Sequence, residues 1–176
     1  GTVSFDADVD NNASGSYTSS ASGDVSTAGG TITVIASDVS LAGDLNAVAG
    51  NVLLQPSTAA TIGLGGAAGS FNVSDTEADL VTAAILEIGT ATSGNISVND
   101  ISPGGANTLV LRTDGSVTEG AGDGAADVTV TNLAIDSDDG VNIDVALTTL
   151  AVSNTVSGGV DVTDTGGGLT VGSVTT

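Results

Sequence analysis

Short segments in which apolar and polar residues alternate recur from one end of the chain to the other. The clearest of them lie at residues 31–34, 51–54, 85–88, 95–98, 108–111, 127–130, 141–144, 150–152, 160–162 and 169–171. Alternation with a period of two, rich in Val, Ile and Thr, is typical of half-buried β-strands. The pattern therefore predicts an all-β protein.

Ser74 begins the one segment that favours a helix. Glu77 follows it by three residues, which is the spacing of a capping box at a helix N-terminus. We expect a helix between Ser74 and Ala84, with Leu80, Val81 and Ala84 on its apolar side.

Internal repeats narrow the choice among all-β folds. Residues 85–100 align with residues 149–164 without a gap, and the identical positions include Leu86 with Leu150. A third copy begins at residue 22, and in all three copies a double glycine and another alternating strand follow. The repeats favour a parallel β-helix, or solenoid, of about 8–9 coils with roughly 20 residues each. An antiparallel β-sandwich is the alternative, because it also contains many short, closely spaced strands.

The charge of the chain excludes several functions. Its 176 residues include 21 acidic residues and a single base, Arg112, so the formal net charge is −20. Nucleic-acid binding needs several Lys or Arg side chains to neutralise phosphates, so we expect no nucleic-acid partner. The absence of His and Cys excludes the usual Ser-His and Cys-His nucleophiles and ordinary zinc sites, so we expect no enzyme. No apolar run approaches the roughly 18 residues of a membrane helix, and we expect no membrane span.

Two stretches of the chain carry a family resemblance. They are residues 23–34, Gly-Asp-Val-Ser-Thr-Ala-Gly-Gly-Thr-Ile-Thr-Val, and residues 38–47. Both resemble the repeats of filamentous-haemagglutinin-type exoproteins of two-partner secretion, and residues 50–56 and 131–135 are similar to the same repeats. The resemblance implies a right-handed parallel β-helix in a long secreted fibre at the bacterial surface, often an adhesin. We expect residues 1–176 to be a single β-helical segment of such a fibre.

The first candidate metal site consists of Asp6, Asp8 and Asp10. Their D-x-D-x-D spacing is that of a calcium loop, and Ca²⁺ takes about six to eight oxygen ligands. Asn11 stands where that loop has its turn glycine, and Tyr17 where it has its bidentate glutamate. An alternating strand that ends in a turn explains the same residues.

The second candidate metal site consists of Asp136, Asp138 and Asp139, which the chemistry of an Asp-Gly turn also explains. Ca²⁺ is the one cofactor that these clusters suggest, and the predicted fold requires none. We expect Arg112 to lie beside its acidic neighbours.

Two classes of function follow. The leading hypothesis is structural: a shaft segment of an extracellular filament, whose partners are copies of itself or adjacent repeats stacked end to end. The alternative is a binding role, as an adhesin face that recognises a host protein or glycan, or as a calcium-stabilised surface module. The resemblance implies an extracellular, cell-surface location in either case.

Overall fold

The chain folds almost entirely into β-strands. This computed structural model describes residues 1–174, and one helix of five residues, α1 (Asp75–Asp79), lies within them. The strands in chain order are β1 Val3–Asp6, β2 Tyr17–Thr18, β3 Val25–Ser26, β4 Ile32–Ala36, β5 Val39–Ser40, β6 Leu45–Asn46, β7 Asn51–Pro56, β8 Ile62–Gly65, β9 Phe71–Val73, β10 Val81–Gly89, β11 Ile96–Asn99, β12 Ala106–Arg112, β13 Val117–Glu119, β14 Val128–Thr129, β15 Asn132–Ser137, β16 Val141–Ala146, β17 Thr149–Asn154, β18 Val160–Asp164 and β19 Thr170–Val171. The prediction of an all-β protein is confirmed.

Every pairing between strands in residues 1–174 is parallel. The largest sheet has the order β1-β4-β7-β10-β12-β15-β17-β19, and β3 and β6 join it through β10. A second sheet contains β8, β9, β11, β13, β14, β16 and β18, and β2 pairs with β5. Neighbours along the first sheet come from successively later parts of the chain. This topology is compatible with a parallel β-helix, and the antiparallel sandwich is wrong.

Aliphatic side chains stack in rows across the first sheet. One row takes one residue from each of eight strands, and all of them are Val, Ile or Leu: Val3, Ile32, Val52, Leu86, Leu109, Leu133, Leu150 and Val171. The six members between Val3 and Val171 are at most 4% exposed. Removal of this apolar surface from water is the main force that holds the strands together.

The sequence repeat corresponds to equivalent positions in the sheets. Leu86 and Leu150 belong to one row of the first sheet, and Ile96 and Val160 belong to one row of the second. In both rows the two residues are three strands apart, and single steps vary from 17 to 24 residues. The predicted period of about 20 residues is therefore an average over uneven passes of the chain.

Glycines form corners where two passes of the backbone touch. A Cβ on Gly50 would lie 2.3 Å from the backbone oxygen of Gly30, and a Cβ on Gly105 would lie 2.3 Å from that of Val81. Since a real Cβ does not approach an oxygen so closely, any other residue would push the backbones apart. Gly30 and Gly105, which each belong to a double glycine of the sequence repeat, thus have a steric role.

The predicted helix begins where expected but ends early. The Ser74 hydroxyl accepts a hydrogen bond from the Glu77 backbone N–H, and the Glu77 carboxylate accepts one from the Ser74 N–H, so the capping box is confirmed. The helix ends at Asp79, however, and Val81 and Ala84 lie in β10 instead of on an apolar helix face. β10 pairs with β6, β7 and β12, and this pairing outweighs the weak helix preference of β-branched residues.

Candidate functional site

The first predicted metal site is organised around Asp8, in the loop after β1. Asp8 is only 2% exposed. Its carboxylate accepts hydrogen bonds from the Ser57 Oγ at 2.5 Å, the Ala13 N–H at 2.9 Å and the Asn12 N–H at 3.2 Å. The Ser57 hydroxyl lowers the pKa of Asp8 most, the two backbone donors add to this, and burial opposes it. The ionised carboxylate thus joins the loop to a distant part of the chain.

Asp6 and Asp10 flank Asp8, and the Asp10 side chain also contributes to the lowered pKa of Asp8. Asp6 Oδ1 accepts a hydrogen bond from the Asp8 N–H at 3.1 Å, and Asp10 Oδ2 accepts one from the Asn12 side chain at 2.8 Å. Among residues 1–174, no three acidic side chains are arranged so that they could hold a metal ion. The calcium hypothesis for this loop stays a prediction of the sequence.

The three acids of the second predicted metal site point to different partners. Asp136 Oδ2 lies 3.5 Å from Arg112 Nε, at the end of β15. Asp138 accepts a hydrogen bond from the Thr155 hydroxyl, and Asp139 accepts one from Ser157 Oγ at 2.8 Å. These contacts tie the turn after β15 to the turn after β17, which follows it in the first sheet.

Arg112 lies between two carboxylates on the neighbouring strands of the first sheet. Its Nη1 donates to Glu87 Oε1 at 2.9 Å, and its Nε faces Asp136. The side chain of Glu87 is 12% exposed, that of Arg112 33% and that of Asp136 49%. The prediction that the single base lies beside acidic residues is confirmed. Register brings Asp136 directly beside Arg112, whereas Glu87 lies two residues before Gly89, the residue that pairs with Arg112 in β10.

Sequence reasoning did not single out Asp127, which is 3% exposed. Asp127 and Asp144 lie on adjacent passes of the chain, because the next residues, Val128 and Val145, pair directly. Loss of hydration raises the pKa of Asp127 most, and the negative charges of Glu119, Asp144 and Asp123 raise it further. A hydrogen bond of 3.2 Å from the Asp144 N–H acts in the opposite direction. No spacing in the sequence marks this site, because the separation of 17 residues is set by the local register.

A groove of about 570 Å³ runs past the start of β12. Four stretches of chain line it: 102–107, 129–131, 146–148 and 166–167. Thr, Ser, Asn, Gly and small apolar residues make up this lining, and none of the described lining residues is charged. Sequence reasoning missed the groove too, since it is formed only when these four stretches stack.

Comparisons with known proteins leave the family open. No family model matches this chain, and no match is found among curated proteins or among solved structures. The resemblance to filamentous-haemagglutinin-type repeats therefore stays a prediction. Among residues 1–174, no helix combines the length and the apolar character that a membrane span requires.

Proposed function

We propose that the chain is a right-handed parallel β-helix of about 8–9 coils and serves as a shaft segment of an extracellular bacterial filament. The observation that supports this most directly is the eight-membered aliphatic row of the first sheet. A row that keeps its chemistry over eight strands suits a repeating rod, whose stability depends on contacts between neighbouring coils.

The charge distribution fits a rod that remains separate from other rods. Strands stacked at about 4.8 Å give a length of roughly 40 Å, so a net charge of −20 corresponds to about one charge per 2 Å. This linear density is close to that of duplex DNA, which carries one charge per about 1.7 Å. Self-repulsion of this size opposes lateral clumping, and cations in solution reduce it.

The last two strands present a surface that suits further stacking. Val160 of β18 is 52% exposed and Val171 of β19 is 75% exposed. Their partners on the preceding strands, Val141 and Leu150, are 3% and 4% exposed. Another coil placed over β18 and β19 would bury both valines, whether it belongs to the same chain or to a second copy. This continuity is why we propose end-to-end stacking.

Electron microscopy and analytical ultracentrifugation of residues 1–176 test the proposal. We expect elongated particles that join end to end as protein concentration and ionic strength rise. Val160→Asp with Val171→Asp should abolish the joining, because a carboxylate buried between coils is costly. Val156→Asp is the matched control, since Val156 is 71% exposed in the turn before β18. Compact particles that stay monomeric under all of these conditions would contradict the shaft.

A further inference from the structure

The groove beside β12 differs chemically from the rest of this acidic molecule. The chain has 21 acidic residues, yet no described residue that lines the groove is charged. Two carboxylates of α1 approach its wall, but they are engaged by the backbone: Asp75 accepts the Ser102 N–H at 2.7 Å, and Asp79 accepts the Gly104 N–H at 3.1 Å. A third carboxylate, that of Asp164, accepts the N–H of the lining residue Gly166 at 3.2 Å. The lining itself is therefore uncharged, and each carboxylate beside it is engaged by a backbone N–H group.

Its lining combines hydrogen-bonding side chains with apolar ones. The exposed side chains of Asn107, Thr129, Thr131 and Thr148 face solvent at its margins and offer both donors and acceptors. Val130 and Leu147 also line the groove, and each is 9% exposed. Hydroxyl and amide groups beside small apolar patches suit a ligand that has hydroxyl groups and C–H faces close together.

The lining stretches are arranged along the direction in which the strands stack, which suits an elongated ligand. Thr129 pairs with Ala146 in neighbouring strands, so two of the lining stretches follow each other in the direction of strand stacking. Gly104, Gly166 and Gly167 have no side chains that would close it. Its volume of about 570 Å³ lies within the usual range for small-molecule sites, about 300–1,000 Å³.

We propose that this groove binds a neutral, linear oligosaccharide on the flank of the molecule. An anionic polysaccharide would be repelled by the net charge of −20, and a cation finds no carboxylate among the described lining residues. A neutral chain of sugars has the hydroxyl groups, the C–H faces and the length that the lining matches. This role does not require end-to-end stacking, because all of the lining residues belong to one copy of the chain.

Calorimetric titration of residues 1–176 with cellotetraose, maltotetraose, mannotetraose and tetragalacturonate tests the proposal. We expect saturable binding of at least one neutral tetrasaccharide and none of the anionic one. Thr131→Val should weaken that binding about tenfold, the effect of one lost hydrogen bond. Gly166→Leu should abolish it by filling the groove. A Cβ at Gly166 meets its nearest neighbour, the Ala146 Cβ, at 3.4 Å, so the backbone can accept this substitution.

Two matched variants separate groove effects from general ones. Thr163→Val removes an exposed hydroxyl from β18, and Gly159→Leu adds a side chain where a Cβ would have no atom within 4 Å. Both should bind like the unaltered chain, and equal melting temperatures would show that all four variants fold. The proposal is overturned if no neutral tetrasaccharide binds saturably, if Gly166→Leu binds as well as Gly159→Leu does, or if tetragalacturonate binds as tightly.

Discussion

Asp8 and Asp127 are buried to nearly the same extent, 2% and 3% exposed, but in opposite surroundings. Asp8 accepts hydrogen bonds from one hydroxyl and two backbone N–H groups. Among residues 1–174, the Asp127 carboxylate accepts one bond, of 3.2 Å from the Asp144 N–H, and three negative charges add to its loss of hydration. A buried carboxylate therefore stabilises this fold where donors surround it and costs stability where other acids do.

The two pKa shifts also have opposite consequences for stability. The folded protein lowers the pKa of Asp8 below its ordinary value of 3.8, so ionised Asp8 stabilises the fold above about pH 3.8. That contribution is lost as the pH falls through the lowered pKa. The pKa of Asp127 is raised above 3.8, so its ionisation costs stability at neutral pH. The cost is relieved as the pH falls through the raised pKa.

Asp8→Ala should have the largest effect, a clear fall in the free energy of unfolding at pH 7. It leaves the hydroxyl of Ser57 and the N–H groups of Asn12 and Ala13 without their acceptor. Thermal and urea unfolding measure the change, and Asp161→Ala is the control because Asp161 is exposed on β18, away from the loop of Asp8. If the free energy of unfolding falls equally in the two variants, the hydrogen bonds of Asp8 do not stabilise the fold.

Ser57→Ala should come next, with a loss of about 1.5–3 kcal/mol, the range for a hydrogen bond to a charged group. The pKa of Asp8 should rise towards its ordinary value, because Ser57 lowers it most. Carboxyl titration by NMR measures the pKa, and urea unfolding measures the free energy. Ser26→Ala, at an exposed position of β3, should change neither quantity. An unchanged Asp8 pKa in Ser57→Ala would contradict the conclusion that the Ser57 hydrogen bond lowers this pKa.

Asp127→Asn should stabilise the protein, by a few tenths to about 1 kcal/mol at pH 7, the range for cross-strand charge pairs. The amide can still accept the Asp144 N–H bond while the buried charge disappears. The gain should shrink as the pH falls through the raised pKa of Asp127, in contrast to Asp8→Ala. Asp161→Asn, which removes one exposed charge from β18, corrects for the change in net charge. If Asp127→Asn is less stable than Asp161→Asn, the charge of Asp127 stabilises the fold, as that of Asp8 does.

Asp144→Asn should have the smallest effect, a gain of a few tenths of a kcal/mol. Asp144 contributes a repelling charge to Asp127 but is itself more exposed than Asp127. The pKa of Asp127 is the more sensitive measurement. It should fall in Asp144→Asn, because a repelling charge is removed, and it should not change in Asp161→Asn. If the pKa of Asp127 is the same in both variants, Asp144 makes no contribution, and burial with the charges of Glu119 and Asp123 accounts for the raised pKa.

Much of the fold was predictable because its signals are local. Alternation and β-branched residues mark a strand such as β4 without reference to the rest of the chain, and Ser74 with Glu77 marks the start of α1. The end of α1 was not predictable in this way. β10 begins at Val81 because three other strands pair with it, and those partners come from residues 45–112.

The amino-acid sequence by itself determined the strand content, the average period and the net charge of this protein. It did not determine which acids are buried, because that depends on a register whose steps vary from 17 to 34 residues within the first sheet. Tertiary structure brought Ser57 to Asp8 across 49 residues and placed Asp144 next to Asp127. Hydrogen bonding and charge repulsion act over a few ångströms in space. Their outcome for each carboxylate was therefore decided only when the chain had stacked.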